Sequence, residues 1–110
     1  VMGFSQGAMM ALYTLPRRKD CLAGILSCSG ILLGADDLIA QADHIQKLPV
    51  HLLHGQADDL VPVSCYTHAK DGLEKAGFSV TGQTIEGLGH GIDPSGIERG
   101  GAFLSSVLAE

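Results

Sequence analysis

Apolar residues gather along the chain in three short runs that their spacing predicts to be β-strands. Residues 22–28 are apolar almost throughout and lie between a charged segment and a Ser-Gly pair. Residues 50–54 form a second run, which Gly55 closes, and residues 78–85 form a third, which Gly82 weakens. A short, nearly continuous apolar run is typical of a strand buried on both faces of a parallel sheet.

Other segments show helical spacing. An apolar face follows Ser5, and we predict that its helix stops at Pro16, since proline disfavours helix at the preceding residue. Residues 63–76 predict a second helix with Gly77 as its C-cap, and a third begins near Pro94, with a Gly-Gly pair in its middle. The residues predicted to face inward are Ala8, Met9, Ala11, Leu12 and Leu15, then Tyr66, Ala69, Leu73 and Ala76, then Ile97, Phe103, Leu104 and Val107.

The alternation of strands and helices predicts an α/β fold with a parallel sheet. A length of 110 residues corresponds to one domain or part of one, and 45% hydrophobic residues are enough to bury a core. No apolar run is long enough to span a bilayer, which argues against an integral membrane protein.

Charge and cysteine content narrow the class of protein. A formal net charge of −5 argues against nucleic acid as a partner. Cys21, Cys28 and Cys65 are odd in number and widely spaced, which argues against a disulfide framework and favours a reducing compartment, the cytoplasm. No zinc-type spacing occurs, and we expect neither a metal nor an organic cofactor.

The segment Gly3-Phe4-Ser5-Gln6-Gly7 has the pattern G-x-S-x-G of a nucleophile elbow. Such an elbow is a sharp turn from a strand to a helix, so Val1 and Met2 are predicted to end a buried strand. We expect Gly3 and Gly7 to be required because a Cβ at either position would clash. The backbone N–H of Gln6 would lie at a helix N-terminus and supply half of an oxyanion hole. A glycine-containing turn before a core helix is the alternative.

A serine nucleophile needs a base, usually a histidine oriented by a carboxylate. In chain order the acid precedes the histidine, and each follows a strand. Asp58 and Asp59 follow the second predicted strand, and His90 lies among glycines after the third. The residues alone do not show which of the two aspartates would be the acid. The alternative for Asp58 and Asp59 is a role as solvated turn residues, and the alternative for His90 is a mobile loop histidine.

The remaining histidines give weaker signals. His51 and His54 are three positions apart on a strand, so they face opposite ways and make a poor metal pair. We interpret both as core or strand-end side chains. His44 and His68 have no evident partner in the sequence.

Three motifs together resemble the phospholipase/carboxylesterase family of α/β-hydrolases, which includes acyl-protein thioesterases. They are the elbow at residues 3–7, the H-G-x-x-D-x-x-V-P segment at residues 54–62 and the Gly89-His90 turn. The resemblance implies a three-layer α/β/α fold with a mainly parallel sheet, Ser5 as nucleophile, His90 as base and Asp58, rather than Asp59, as acid. It also implies a carboxylesterase, lysophospholipase or acyl-thioesterase that acts through an acyl-enzyme on an ester or lipid-like acyl substrate.

Members of that family are longer than this chain, and we expect the missing part to precede residue 1. We therefore expect residues 1–110 to be a single partial domain, the C-terminal half of the fold, without the second oxyanion donor. The expected consequence is an open sheet edge beside residues 22–28, which invites homo-oligomers or pairing with another strand.

Two interpretations of function compete with the esterase. One is a peptidase or lactone hydrolase with the same triad, and the other is a catalytically silent fragment that acts as an interaction module. If the site is a hydrolase, Leu32 and Leu33 are candidates to line an acyl pocket, because they follow a strand at the active edge. Ordinary loop packing is the alternative for that pair.

Overall fold

The computed structural model describes residues 1–18 and 22–108. Within them lie four strands, β1 (Met2–Phe4), β2 (Ile25–Cys28), β3 (Val50–Gly55) and β4 (Val80–Ile85). Four α-helices accompany them, α1 (Gln6–Thr14), α2 (Ala35–Ala40), α3 (Ser64–Lys75) and α4 (Pro94–Leu108), and short 3-10 turns follow α1 and α2.

The strands form one parallel sheet in the order β1-β2-β3-β4. Gly3 lies opposite Ser27, and Ser27 lies opposite Leu52, so the strands are in register from one edge to the other. Since all the strands run in one direction, their carboxyl ends meet at one edge of the sheet, where α/β folds place their sites. The predicted α/β fold with a parallel sheet is confirmed.

Alternate residues of the central strands divide between two cores. Ile25 and Leu52 pack with α1, α2 and α3 on one face, whereas Leu26 and Leu53 face α4 on the other. This period of two is what a strand buried on both faces requires. The result is three layers, with the sheet between α4 and the other helices.

Two predicted strands begin later than expected. The run at residues 22–28 pairs only from Ile25, whose N–H donates to the Pro49 carbonyl, and the run at residues 78–85 pairs only from Val80. Phe78 is buried in the core just before β4 begins. Apolar character therefore marks burial, and it does not by itself mark where strand pairing starts.

The first predicted helix is confirmed, with Pro16 in the 3-10 turn that follows it. The second is confirmed as α3, and Gly77 takes the left-handed conformation, φ 94°, just beyond its end. The pattern did not predict α2, whose six residues are too few to show a clear helical period.

One inward-facing assignment is wrong in α4. Ile97 is 66% exposed, although Phe103 and Leu104 pack against the sheet as predicted. The helix instead turns the buried Gly96 and Gly100 toward the strands, and a Cβ on Gly100 would lie 2.9 Å from Leu26 Cδ2. Gly100, the first glycine of the Gly-Gly pair, is thus a packing feature that brings the helix axis close to the sheet.

The structure also corrects the prediction for the edge strand. β1 runs from Met2 to Phe4, and both of these side chains are exposed, so the strand is not buried. It pairs with β2 throughout its length, with Met2 opposite Leu26 and Phe4 opposite Cys28. The open edge therefore belongs to β1, and β2 is covered along its pairing segment.

No helix in residues 1–18 and 22–108 is long and apolar enough to cross a membrane. Of the cysteines, Cys28 and Cys65 are free, and Cys21 lies outside the described residues.

β3 and β4 approach each other closely at Gly82, so a substitution there tests the register and spacing of these two strands. A Cβ there would lie 2.3 Å from the Leu52 carbonyl oxygen, so we expect Gly82→Ala to lower the free energy of unfolding by about 1–3 kcal/mol. Gly101 in α4 has open space and serves as the control: Gly101→Ala should raise that free energy by about 0.5–1 kcal/mol. Urea unfolding measures both. Equal stability of the two variants would contradict the register and spacing of β3 and β4.

Candidate active site

The turn at Ser5 joins β1 to α1 in a strained conformation. Ser5 has φ 54° and ψ −116°, in a region that residues with a Cβ rarely adopt. Its N–H donates to the Cys28 carbonyl at 2.8 Å, and its own carbonyl accepts from the N–H of Met9 at 3.0 Å. The serine is therefore held by the neighbouring strand on one side and by the first turn of the helix on the other.

The two glycines of the motif have different roles. A Cβ on Gly3 would lie 2.6 Å from backbone atoms of Gly7 and Ala8, so the turn excludes any larger residue there. The expectation for Gly7 is wrong, because a Cβ at that position meets nothing within 4 Å among the described residues. Gly7 lies in the exposed first turn of α1, facing away from the crowded inner side of the elbow.

Asp58 lies in the loop after β3 and is fully buried at its carboxylate. Its Oδ1 accepts hydrogen bonds from the backbone N–H of Leu60 at 3.0 Å and of Val61 at 2.8 Å. Asp59, by contrast, is exposed. The loop thus distinguishes two adjacent aspartates that their sequence positions leave equivalent.

His90 follows β4 in a loop that crosses the end of β3. The N–H of Ala57 donates to the Leu88 carbonyl at 2.9 Å, so the loops that carry Asp58 and His90 are bonded to each other. A Cβ on Gly55 would lie 2.3 Å from that same carbonyl oxygen. Only a glycine permits the crossing at this distance.

The structure brings Ser5, His90 and Asp58 into one chain of hydrogen bonds. His90 Nδ1 lies 2.7 Å from Asp58 Oδ2, and His90 Nε2 lies 2.8 Å from Ser5 Oγ. Because a carboxylate only accepts, Nδ1 carries the proton in this contact, and the lone pair on Nε2 accepts from the serine hydroxyl. In this arrangement the Nε2 atom of His90 can accept a proton from the Ser5 hydroxyl.

The environment of Asp58 lowers the pKa of its carboxyl group. Burial taken alone would raise this pKa, but hydrogen bonds from the N–H of Val61, from His90 and from the N–H of Leu60 outweigh it. The carboxylate therefore stays charged beside the imidazole, which is the state needed to stabilise an imidazolium.

Sequence reasoning missed two side chains that lie beside these three hydrogen-bonded residues, Phe4 and His54. The ring of Phe4 lies against the His90 ring, with centroids 5.0 Å apart. His54, interpreted as a core or strand-end side chain, is 3% exposed and lies with Nε2 3.7 Å from Asp58 Oδ2. Adjacency in sequence to Ser5 and to Gly55 was the available signal, but it did not reveal which way either ring points.

The other candidate residues lie apart from the three-residue contact. His51 hydrogen-bonds Thr81 and stacks on Phe103 on the α4 side of the sheet. His44 and His68 are exposed. Nowhere in the described parts of the chain do three His, Cys, Asp or Glu side chains converge as a metal site requires.

The predicted acyl-pocket residues differ from each other. Leu32 is 3% exposed and belongs to the core beside α3, whereas Leu33 is 45% exposed. Of these two residues, only Leu33 is exposed. Gln6 is the first residue of α1, so its backbone N–H has no partner within the helix.

Known proteins resemble this chain in sequence. A model of the phospholipase/carboxylesterase family matches residues 1–108. Acyl-protein thioesterase 1 of Gibberella zeae is 32% identical over 109 residues, which cover 96% of this chain and 46% of that protein. Esterase YpfH of Escherichia coli is 30% identical over 93 residues, which cover 84% of this chain and 38% of that protein.

Solved structures agree with the sequence matches. The crystal structure of esterase PE8 has a TM-score of 0.88 and 39% identity, over 96% of this chain and 48% of that one. The structure of acyl-protein thioesterase 2 of Zea mays has a TM-score of 0.86 and 28% identity, over 99% of this chain and 55% of that one.

These comparisons confirm the α/β-hydrolase fold that the motifs implied. The chain spans about half the length of the curated relatives it matches. The family model nevertheless extends over nearly the whole chain, and the relatives align across it at about one identical residue in three. The chain belongs to the phospholipase/carboxylesterase family.

Proposed function

We propose that the full-length protein is a hydrolase of carboxylic esters or thioesters, with Ser5 as nucleophile, His90 as base and Asp58 as the orienting acid. The observation that carries this proposal is the hydrogen-bond chain from the Ser5 hydroxyl through His90 to the buried Asp58 carboxylate. Relatives named as acyl-protein thioesterases and esterases support the class of reaction.

The reaction proceeds in two stages. His90 Nε2 takes the proton of Ser5 as the serine oxygen attacks the acyl carbonyl, and the imidazolium then gives that proton to the leaving alcohol or thiol. Water, activated by the same nitrogen, releases the acid from the acyl-enzyme and regenerates the serine. Asp58 stabilises the imidazolium, since its carboxylate holds the opposite charge 2.7 Å from Nδ1.

The developing oxyanion needs hydrogen-bond donors beside Ser5. The backbone N–H of Gln6 supplies one, because it lies at the N-terminus of α1, where partial positive charge collects. In α/β-hydrolases a second N–H comes from a loop after an early strand, and we expect it from sequence outside residues 1–110. A single oxyanion donor of this kind contributes about 3 kcal/mol to the barrier reduction.

The substrate is expected to be an acyl ester or thioester with an apolar acyl group. Leu32 and Leu33 follow β2, which ends beside Ser5, and both stay candidates for the acyl pocket, with Leu33 supplying the exposed apolar surface. The cysteine pattern still predicts that the protein acts in a reducing compartment.

Ser5→Ala removes only the hydroxyl group of the proposed nucleophile. We expect the variant to lose p-nitrophenyl ester hydrolysis and labelling by a fluorophosphonate probe, while the midpoint of thermal unfolding stays about the same, because alanine keeps the Cβ and the backbone conformation of residue 5. The measurement is turnover together with probe labelling in the full-length protein. Retained turnover would refute the assignment, and an unlabelled wild-type protein would favour the silent interaction module.

The two adjacent aspartates provide a matched pair. Asp58→Asn keeps the shape but loses the charge that fixes the imidazole, and we expect kcat to fall on the order of 10⁴-fold, as in other triads. Asp59→Asn removes the same charge from an exposed position and should leave kcat nearly unchanged. Similar losses in the two variants would show that general charge, and not the contact with His90, sets the rate.

The lowered pKa of Asp58 makes part of the folding stability depend on pH. Since the folded-state pKa lies below the ordinary value of about 3.9, the charged carboxylate stabilises the fold above that pH, and this contribution is lost as the pH falls through the folded-state pKa. We therefore expect the difference in unfolding free energy between wild type and Asp58→Asn to be constant above about pH 5 and to shrink below about pH 4.

Urea unfolding at a series of pH values measures this difference, and Asp59→Asn controls for the loss of one charge. A difference that grows as the pH falls would contradict the assigned direction of the shift.

A further inference from the structure

His54 forms a hydrogen bond that determines its tautomer. Its Nε2 lies 2.7 Å from the carbonyl oxygen of Val61, and a carbonyl oxygen only accepts, so Nε2 carries the proton. The side chain is buried at the end of β3, just before the loop that carries Asp58. The bond therefore joins the next-to-last residue of β3 to Val61, whose N–H also bonds to the acid.

Val61 connects this histidine to the triad. Its carbonyl accepts from His54, and its N–H donates to Asp58 Oδ1 at 2.8 Å. His54 Nε2 also lies 3.7 Å from Asp58 Oδ2, the oxygen that accepts from His90. The two carboxylate oxygens are thus assigned to different partners, Oδ1 to the backbone of the turn and Oδ2 to the catalytic imidazole.

We propose that His54 is a positioning residue for the triad acid, which holds the turn at residues 58–61 so that Asp58 Oδ2 faces His90. This proposal rests on the function proposed above. His54 does not touch the reacting atoms, and it acts through Val61 and Asp58.

A buried imidazole is costly at a position that only fills space. An apolar ring would occupy the same volume with no polar nitrogen to satisfy, so the histidine is explained by its hydrogen bond. His51, three residues earlier in the same strand, shows the contrast: it packs on the opposite face, against Phe103 and Thr81, with no bond to the Asp58 loop. A histidine in β3 therefore does not by its position alone form a hydrogen bond like that of His54 to Val61.

The charged and titratable groups around Asp58 are few. Among the described residues, the side chains that face its carboxylate are His90, from the loop after β4, and His54, from β3. The other contacts are the backbone N–H groups of Leu60 and Val61. A change at His54 therefore reaches the pH dependence of catalysis through Asp58 and His90.

Three substitutions at His54 separate positioning from packing. His54→Phe keeps the ring and loses the donor, His54→Asn has an amide too short to reach Val61, and His54→Gln places an amide N–H near the site of Nε2. We expect Phe and Asn to lower kcat about 10- to 100-fold with little change in KM, and Gln to recover most of the loss. His51→Phe is the matched control, with kcat as in the wild type.

The pH profile distinguishes positioning from a general loss of structure. A displaced carboxylate stabilises the imidazolium less, so the acidic limb of kcat/KM should move to lower pH in His54→Phe and His54→Asn but not in His54→Gln. The strongly deshielded proton NMR signal expected for His90 Nδ1–H against a carboxylate should weaken or shift upfield in the same two variants. If His54→Phe fails to fold, the comparison of Asn with Gln carries the test.

The outcomes separate this proposal from the hydrolase proposal. An unmoved acidic limb and an unchanged Nδ1–H signal in folded His54→Asn would overturn the positioning role, as would movement of the limb to higher pH. If wild type hydrolyses no ester and Ser5 takes no fluorophosphonate label, the hydrolase proposal fails. The NMR signal then still decides whether His54 holds the Asp58–His90 contact.

Discussion

The contact between the end of β3 and the loop after β4 is the constraint on which the site depends. The carbonyl oxygens of Leu88 and Gly89 would lie 2.3 and 2.4 Å from a Cβ on Gly55, so the loop crosses directly over that residue. A backbone hydrogen bond from Ala57 to Leu88 closes the crossing. One backbone junction therefore places the loops of Asp58 and His90 side by side, so that the two side chains meet.

Ser5 is connected to that junction through β2, a strand that carries none of the three residues of the proposed triad. Ser5 bonds to the Cys28 carbonyl, and Ser29 bonds to the Leu53 carbonyl, so the carboxyl ends of β1, β2 and β3 are linked in series. A shift of β2 by one residue would move Ser5 relative to Asp58 by roughly 3.3 Å and break the contact with His90. Sheet register thus contributes to the geometry of the proposed triad as directly as the loops do.

The sequence predicted those parts of the fold that depend on burial and on turn chemistry. Apolar runs indicated the central strands, and the glycine at position 77 indicated the end of α3. Strand ends were less predictable, because Phe78 is buried by packing before β4 begins to pair. Burial of β1 was predicted wrongly, since Val1 and Met2 are apolar whether or not another strand covers them.

At the site, the sequence indicated which residue types belong together but not how the loops orient them. Asp58 and Asp59 have the same chemistry, and only the turn that directs two N–H groups at Asp58 separates them. His54 looked like a core residue because its strand is apolar, although its bond to Val61 depends on how the chain folds back seven residues later. Contacts that close a loop on itself leave no periodic trace in a sequence.

The exposed side of β1 bears on stability more than on the geometry of the triad. Every hydrogen bond that places Ser5 comes from β2, α1 or His90, and none comes from the outer edge of β1 within the described residues. That edge is nevertheless apolar, and Met2 and Ile97 border a cleft of about 200 Å³ between the sheet and α4. An uncovered apolar edge strand tends to pair or aggregate, so whatever covers this edge is expected to determine how firmly β1 stays in the sheet. The turn at Ser5 would then keep its internal geometry, while the lifetime of the folded site depends on what pairs with the outer edge of β1.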